Sequence, residues 1–356
     1  MKLNKNIAVI CNYDLNPNRI GGMDRFFVSY DEECKKLGYE ISWFFAGGRK
    51  YDFYDNLEVH ICSKDLCLEF LNFYQKNEYN IVITHFVELC TPFFKTIKTI
   101  NNAFIISVDH NPRPIGGFPI KKRAKNKLKG ILYSKYIDLF IGVSRYTTNC
   151  ILNDFGKHLQ AKTKVVYNGI ATDVYLKREA ENLGKFIVAS HLRSSKGIQD
   201  LIKAVSLVSS DAKNKMIIDI YGDGPIENEL KELVGSLELD TVFTFKGSTP
   251  ELPNLYKNYS FLLQPTYMEC FSLSILESLA SNVPVVTTPV GGNKEVVING
   301  VNGFIFPAKD VDKLSALLEE ILNRSKKIEK NTFSEIEENF NLSRMVNEHI
   351  TLLSCI

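Results

Sequence analysis

No stretch of this chain strings together the roughly 18 apolar residues that a membrane-spanning helix needs. The first apolar run, Ile7 to Cys11, is short and gives way to Asn12 and Asp14. A secretory leader would need a run of about 7–15 ending at a small-residue cleavage site. The eight cysteines form no CxxC, and the pair Cys62 and Cys67 has no matching histidine pair, which argues against a zinc site. Several lie inside apolar runs, so they read as buried, reduced thiols of a cytoplasmic protein. A surplus of either charge is missing too. The 43 basic and 41 acidic residues leave +2, far short of the basic excess of a nucleic-acid binder. There is no internal repeat and no low-complexity segment.

What is present is an ordinary globular mix, 45% apolar and 24% charged, over 356 residues. That length favours two domains, each with enough chain to bury a core. Short apolar runs alternate with helix-length stretches. The first series comprises Asn6–Ile10, Ile41–Phe45, Asn80–Thr84, Ala103–Ser107 and Leu139–Val143. The second comprises Phe186–Ala189, Met216–Tyr221, Val242–Phe245, Phe261–Gln264 and Val283–Thr287. Continuous apolar strands between helices indicate parallel sheets covered on both faces. The expected fold is therefore α/β, with two Rossmann-like doubly wound domains whose ligand edges lie at the carboxyl ends of the strands. The expected boundaries are a first domain over 1–167, a linker over 168–180, a second domain over 181–332, and a helical tail over 333–356 that returns to the first domain.

The most informative stretch runs from Gln264 to Ala280. A strand ends at Gln264, a loop follows, and a helix begins near Ser272. Glu269 falls in that loop at the carboxyl edge of the sheet. Amides from Phe271 to Ser274 open the helix and can hold a diphosphate with help from the helix dipole. Glu277 lies about five residues into the helix, roughly 7.5 Å along its axis. It is flanked by Leu276, Leu279 and Ala280, so it needs a partner. Two tempting patterns are refused. Asp310-Val311-Asp312 precedes an amphipathic helix and reads as a cap. Gly222-Asp223-Gly224 has Glu227 where a dinucleotide fingerprint needs its third glycine.

Glu269-(x7)-Glu277, followed by Val283–Val286, Gly291-Gly292 and Glu295, resembles the E-x7-E signature of retaining GT-B glycosyltransferases of family 4. Further landmarks occur in family order over nearly the whole chain. These are Ile20-Gly21-Gly22-Met23, Val143-Ser144, Val166–Ile170, Ser190–Gly197, Tyr221–Pro225, Phe245–Gly247 and Gly300–Phe304. The resemblance implies two domains facing across a cleft, and a sugar moved from a nucleotide-sugar donor to an acceptor hydroxyl with retention, without a metal or other cofactor. A UDP-sugar is the first expectation for the donor. The acceptor implied is a glycan or lipid-linked glycan in surface polysaccharide or glycoconjugate assembly.

The same resemblance assigns roles. Glu269, Lys196 and His110 are the catalytic candidates. Gly21, Gly22, His191, Arg193, Lys196, Phe271, Ser272 and Leu273 would hold the donor diphosphate, and Glu277 its ribose. His110, Glu269, Cys270 and Phe271 would face the donor sugar, and His85 is open to acceptor contact or loop packing. The chain departs from the family pattern twice. His191 stands where the family has arginine, with Arg193 two residues on, and Ser272 replaces a glycine, where its side chain is expected to narrow the sugar pocket. A GT-B sugar-nucleotide epimerase and a catalytically silent sugar-nucleotide-binding protein are alternative readings of the same residues.

Lys121, Lys122, Lys125 and Lys129 are expected to share one side of a helix, with Arg123 and Lys127 beside them and Phe118, Ile120, Ile131 and Leu132 nearby. Such a cluster suits a pyrophosphate-linked lipid acceptor or an anionic membrane surface, which would make the protein peripheral at the inner face of the membrane.

Overall fold

The computed structural model describes residues 6–18 and 20–353. Cys355 lies outside them. The chain divides into two compact units. One runs to Asn168 and is completed by the segment from Ser343, and the other is Gly169–Leu342.

The first unit is built on seven parallel strands: β1 (Asn6–Leu15), β2 (Glu40–Gly48), β3 (Glu58–Ile61), β4 (Ile81–His85), β5 (Phe104–Asp109), β6 (Leu139–Gly142) and β7 (Thr163–Val165). Their order is β3-β2-β1-β4-β5-β6-β7. The central strands are the apolar runs of the sequence; every residue of β4 and β6 is buried. Strands β3 and β7 were not legible as runs. They are four and three residues long, lie at the sheet edges and contain mostly half-exposed residues, so nothing forces them to be apolar. β1 also outlasts its apolar run. It continues to Leu15 through a register shift between Cys11 and Asp14 against β2.

The second unit has six parallel strands: β8 (Lys185–Ala189), β9 (Ile217–Tyr221), β10 (Phe243–Gly247), β11 (Phe261–Gln264), β12 (Val285–Thr287) and β13 (Gly303–Ile305). Their order is β10-β9-β8-β11-β12-β13. The three-residue β13 is an edge strand too short to read as a run, though two of its residues are buried. The helix Val311–Leu322 follows, and Asp310 caps it by accepting from the Lys313 amide at 2.9 Å. The D-x-D is thus a cap. In both sheets the strand order reverses once, between β1 and β4 and between β8 and β11. At such a point the two flanking loops diverge to opposite faces and leave a crevice for a ligand.

The closing helix Leu342–Leu353 belongs almost entirely to the first unit, where it buries Met345, Val346, His349, Leu352 and Leu353. His349 sits 5.0 Å from the Phe26 ring and 6.2 Å from the His85 ring, and His85 Nδ1 and His110 Nε2 are 3.0 Å apart. The three imidazoles are buried in one aromatic nest, and His349 Nε2 has no hydrogen-bond partner. Burial removes the water that would solvate an imidazolium. It drives His85 well below its ordinary pKa, His110 down to about 3 and His349 to about 4, and charge repulsion within the group adds to the shift for His85 and His110.

A base whose pKa is lowered by folding takes up its proton first in the unfolded chain. Stability contributed by the nest is therefore complete above the unfolded value of about 6.5 and is lost as the pH falls from there toward 4. The slope is up to about 1.4 kcal/mol per pH unit for each histidine. Thermal unfolding at pH 7.5 and pH 5 is expected to show a clear drop in Tm for the native protein. His349→Phe, which fills the space without a titratable ring, is expected to show a smaller one.

Candidate active site

The crevice of the second unit is framed by the loops that follow β8 and β11. Gly197, after the first loop, has φ +71°, and a Cβ there would lie 2.0 Å from the Pro265 carbonyl oxygen. Only glycine permits that approach. It lets the Tyr267 amide donate to the Ser195 carbonyl at 2.7 Å, with the Thr266 hydroxyl donating to the same oxygen at 3.2 Å. On the other side Gly291, at φ +60°, brings the loop after β12 against the Glu269 carbonyl, where a Cβ would come within 2.1 Å. The loop carrying Glu269 is thus clamped between two glycine-dependent contacts.

The clamp delivers Lys196 Nζ to Glu269 Oε1 in an ion pair whose side chains are only 22% and 12% exposed. These were separate candidates in the sequence, one for the leaving phosphate and one for the sugar, and the structure joins them. An ammonium has three donors, so the pair leaves Lys196 able to hold another anion.

The helix Leu273–Ala280 starts directly after this loop. Its N-cap residue Ser272 makes no capping bond. The Ser272 hydroxyl is instead held by Gln264 Nε2 at 2.5 Å and lies 3.1 Å from the Ser274 hydroxyl. Gln264 Oε1 also accepts from the Thr287 hydroxyl at 3.2 Å. This corrects the expectation that Ser272 narrows a sugar pocket. Its side chain is buried and turned back onto the end of β11, because a buried hydroxyl must find a partner and Gln264 provides one. The consequence is functional. With its side-chain cap diverted, the helix offers first-turn amides, including that of Leu273, to an anion. Cys270 and Phe271 are buried as well, the Phe271 ring lying 5.5 Å from Phe340.

Glu277 is half-buried on the same helix and accepts from the Tyr256 hydroxyl at 3.0 Å. Tyr256 is fully buried, and both burial and the adjacent carboxylate push its phenol pKa well above the usual value, so it stays a donor. Nothing in the sequence pattern singled out Tyr256. His191 Nδ1 is 3.5 Å from Asp223 Oδ1 at the end of β9, and Arg193 is exposed.

The first unit holds the remaining candidates. Gly21 caps the helix Gly22–Lys36, and its amide donates to Asp24 Oδ2 at 2.8 Å. Asp24 is fully buried and also accepts from Tyr54 at 2.6 Å and Tyr13 at 2.9 Å. The Gly21 amide is therefore committed to Asp24, and Asp24 is a positioning residue that the sequence did not flag. His110 stacks on Phe86 with ring centroids 4.1 Å apart. His85 is 1% exposed and lies behind His110, which answers the open choice of the sequence in favour of packing over acceptor contact.

Beside β5 a cavity of about 300 Å³ is lined by Phe86, Asp109, Arg113, Phe118, Lys122 and Asn126 among others. Arg113 anchors its floor by donating to Asp109 and Asp154 at 2.8 Å each. The four lysines share one side of the helix Ile120–Tyr133, within about 100° of one another. Lys129 and Lys122 reach Glu88 at 2.7 and 3.5 Å, toward the cavity, whereas Lys121 and Lys125 face solvent.

Comparison with known proteins agrees with this arrangement. Residues 176–336, most of the second unit, match the family model for glycosyl transferases group 1. An uncharacterized glycosyltransferase of Methanocaldococcus jannaschii is 26% identical over 302 residues, 75% of this chain and 81% of that one. N-acetyl-alpha-D-glucosaminyl L-malate synthase of Bacillus anthracis is 26% identical over 204 residues, 53% of this chain and 52% of that one. Among solved structures, Anabaena HepE in complex with UDP and glucose superposes with a TM-score of 0.81 at 17% identity, over 99% of this chain and all of that one. The fold is that of the GT-B glycosyltransferases, two Rossmann-like parallel-sheet domains. The family match and the relatives support glycosyltransferase activity.

Gly197→Ala tests the clamp. The strained φ and the collision with Pro265 are expected to lower the stability of the second unit by about 2 kcal/mol or more. Denaturant unfolding followed by the second unit's amide exchange measures this.

Proposed function

We propose that the protein is a retaining glycosyltransferase that moves a sugar from a UDP-sugar, without a metal ion, to the hydroxyl of a glycan or lipid-linked glycan in surface polysaccharide or glycoconjugate assembly. The observation that carries this reading is the Lys196–Glu269 pair beside the uncapped start of the helix Leu273–Ala280, with Glu277 on the same helix. A diphosphate needs cations and amide donors in one place, and a ribose diol needs a carboxylate acceptor. The HepE structures, which contain UDP, UDP-glucose, or UDP with glucose, support the choice of base.

In this reading the diphosphate binds across Lys196 and the first-turn amides. As the glycosidic C–O bond breaks, negative charge grows on the departing phosphate oxygen, and Lys196 stabilises that charge. No metal is then required, because the ammonium and the helix terminus supply the positive field. Glu269, already held by Lys196 and by the Thr266 hydroxyl at 3.4 Å, faces the sugar hydroxyls and the positive charge that develops at the anomeric carbon. Tyr256 fixes the rotamer of Glu277 so that its carboxylate meets the ribose. The cavity beside His110 is the acceptor subsite; its aromatic walls and buried Arg113 suit the polar end of a glycan.

Two substitutions test the assignment in a radiolabelled-donor transfer or hydrolysis assay. Glu277→Gln keeps the shape but loses charge-assisted bonding to the diol, worth about 1.5–3 kcal/mol. The donor KM is expected to rise at least about tenfold, with kcat less affected. Lys196→Ala is expected to lower kcat by about a hundredfold or more, because its contact strengthens as the charge develops. Near-native kcat for Lys196→Ala, with the loss appearing in Arg193→Ala or His191→Ala, would move the cation to one of those positions. Transfer with retained anomeric configuration separates the reading from an epimerase and from a silent binder.

A further inference from the structure

Between Asn111 and Lys135 the chain has eight basic residues and no acidic one, although the whole protein carries only +2. Most of this stretch is the helix Ile120–Tyr133. Its inner side is settled: Asn126 and Gly130 are buried, and Lys122 and Lys129 are occupied by Glu88. Its outer side exposes large aliphatic groups. Ile120 is 81% exposed, Ile131 70%, Leu128 56% and Leu132 47%, and Ile115 in the preceding loop is 51% exposed. At about 100° per residue, Ile120, Ala124, Leu128, Ile131 and Leu132 fall in one stripe roughly 120° wide. Arg123 and Lys127 border it on one side and Lys125 on the other, Lys121 lies within it between Leu128 and Leu132, and all four cations are exposed. Among the described residues no helix is long and apolar enough to cross a membrane.

We propose that this outward face docks on an anionic lipid bilayer, the helix lying in the plane of the interface. An aliphatic stripe this exposed costs free energy in water and recovers it among acyl chains. The flanking cations sit at the height of the lipid phosphates and can extend their heads outward while their stems cover the stripe. Charge complementarity selects the partner: the four exposed cations Lys121, Arg123, Lys125 and Lys127 match an anionic headgroup layer, and the aliphatic stripe has no use on a nucleic acid or a soluble polyanion. The cation set also differs from a simple count of the lysine run. Lys121, Arg123, Lys125 and Lys127 face the lipid, whereas Lys122 and Lys129 share the single carboxylate of Glu88. The proposal is independent of the glycosyl-transfer reading, and its test requires no transfer.

The experiment is co-sedimentation of the purified full chain with phosphatidylcholine vesicles, with and without phosphatidylglycerol, at low salt and at ~0.15 M. The protein is expected to pellet with the anionic vesicles only, and more strongly at low salt. The triple change Lys121→Ser, Lys125→Ser, Lys127→Ser is expected to weaken partitioning on the order of a hundredfold, each cation near the surface being worth about fivefold. Ile120→Ser with Ile131→Ser leaves the charge unchanged and is expected to weaken it at least about tenfold. Both variants alter exposed groups only, and circular dichroism checks that they fold. Lys129→Ser removes a charge whose side chain is only 16% exposed and is paired with Glu88, and is expected to bind as the unsubstituted protein does. Three results would overturn the proposal. One is native protein left in the supernatant with anionic vesicles at low salt. Another is full sensitivity to the lysines with none to the isoleucines, which describes a charged surface without insertion. The third is a dimer in light scattering that Ile120→Ser with Ile131→Ser abolishes, which would assign the stripe to a second copy of this chain.

Discussion

A cation and a carboxylate held in contact at the edge of a sheet are the interaction on which the loop geometry of the second unit's candidate site depends. Lys196 and Glu269 come from loops that follow adjacent strands, β8 and β11, and meet because two glycines let three loops approach to backbone contact. The pair is partly desolvated, so removing either partner strands the other in a poorly solvated place. That cost keeps the loops in register before any ligand arrives. In the proposed reading, a diphosphate entering the crevice meets a lysine already aimed, and little reorganisation remains for the reaction itself.

The buried polar groups around the two crevices act in one way: each is spent on fixing a loop. Asp24 collects two tyrosine hydroxyls and the Gly21 amide, and so sets the entry to the helix Gly22–Lys36. Gln264 takes the hydroxyl that would otherwise cap the helix Leu273–Ala280, which leaves the helix dipole exposed to an anion. Tyr256 holds Glu277. Such contacts add modestly to stability, since each replaces a bond to water. They are better understood as positional, because a buried hydroxyl or carboxylate left without its partner is expensive and tolerates only one arrangement.

The two-sheet architecture was legible because central parallel strands are covered on both faces and must be apolar throughout, as β4 and β6 are. The edge strands β3 and β7 escaped for the converse reason: half-exposed residues carry no such obligation, while the buried β13 escaped because it is only three residues long. At the site, residue types with distinctive chemistry stood out at motif spacing, which is how Glu269, Glu277 and Lys196 were found. Tyr256 and Gln264 were not found, since their roles depend on contacts across 21 and 8 residues that follow no periodic rule, and Asp24, at the capping-box position three residues after Gly21, went unnoticed because glycine there carries no side-chain cap. The direction of the Ser272 side chain was misjudged because its partner Gln264 is a strand residue with no functional signature. The lysine run occupies one side of its helix as its spacing implies, but the pairing of Lys122 and Lys129 with Glu88 joins distant parts of the chain and left no mark in the sequence.

The account stands most directly on a diphosphate being met by Lys196 and by the first turn of the helix Leu273–Ala280. Calorimetric titration of the full chain with uridine, uridine monophosphate and uridine diphosphate measures what each phosphate contributes. The account predicts that the diphosphate binds at least about tenfold more tightly than the nucleoside, a difference of about 1.4 kcal/mol or more. Equal affinities for the three would contradict it, as would no binding of the diphosphates of uridine, guanosine, adenosine or thymidine.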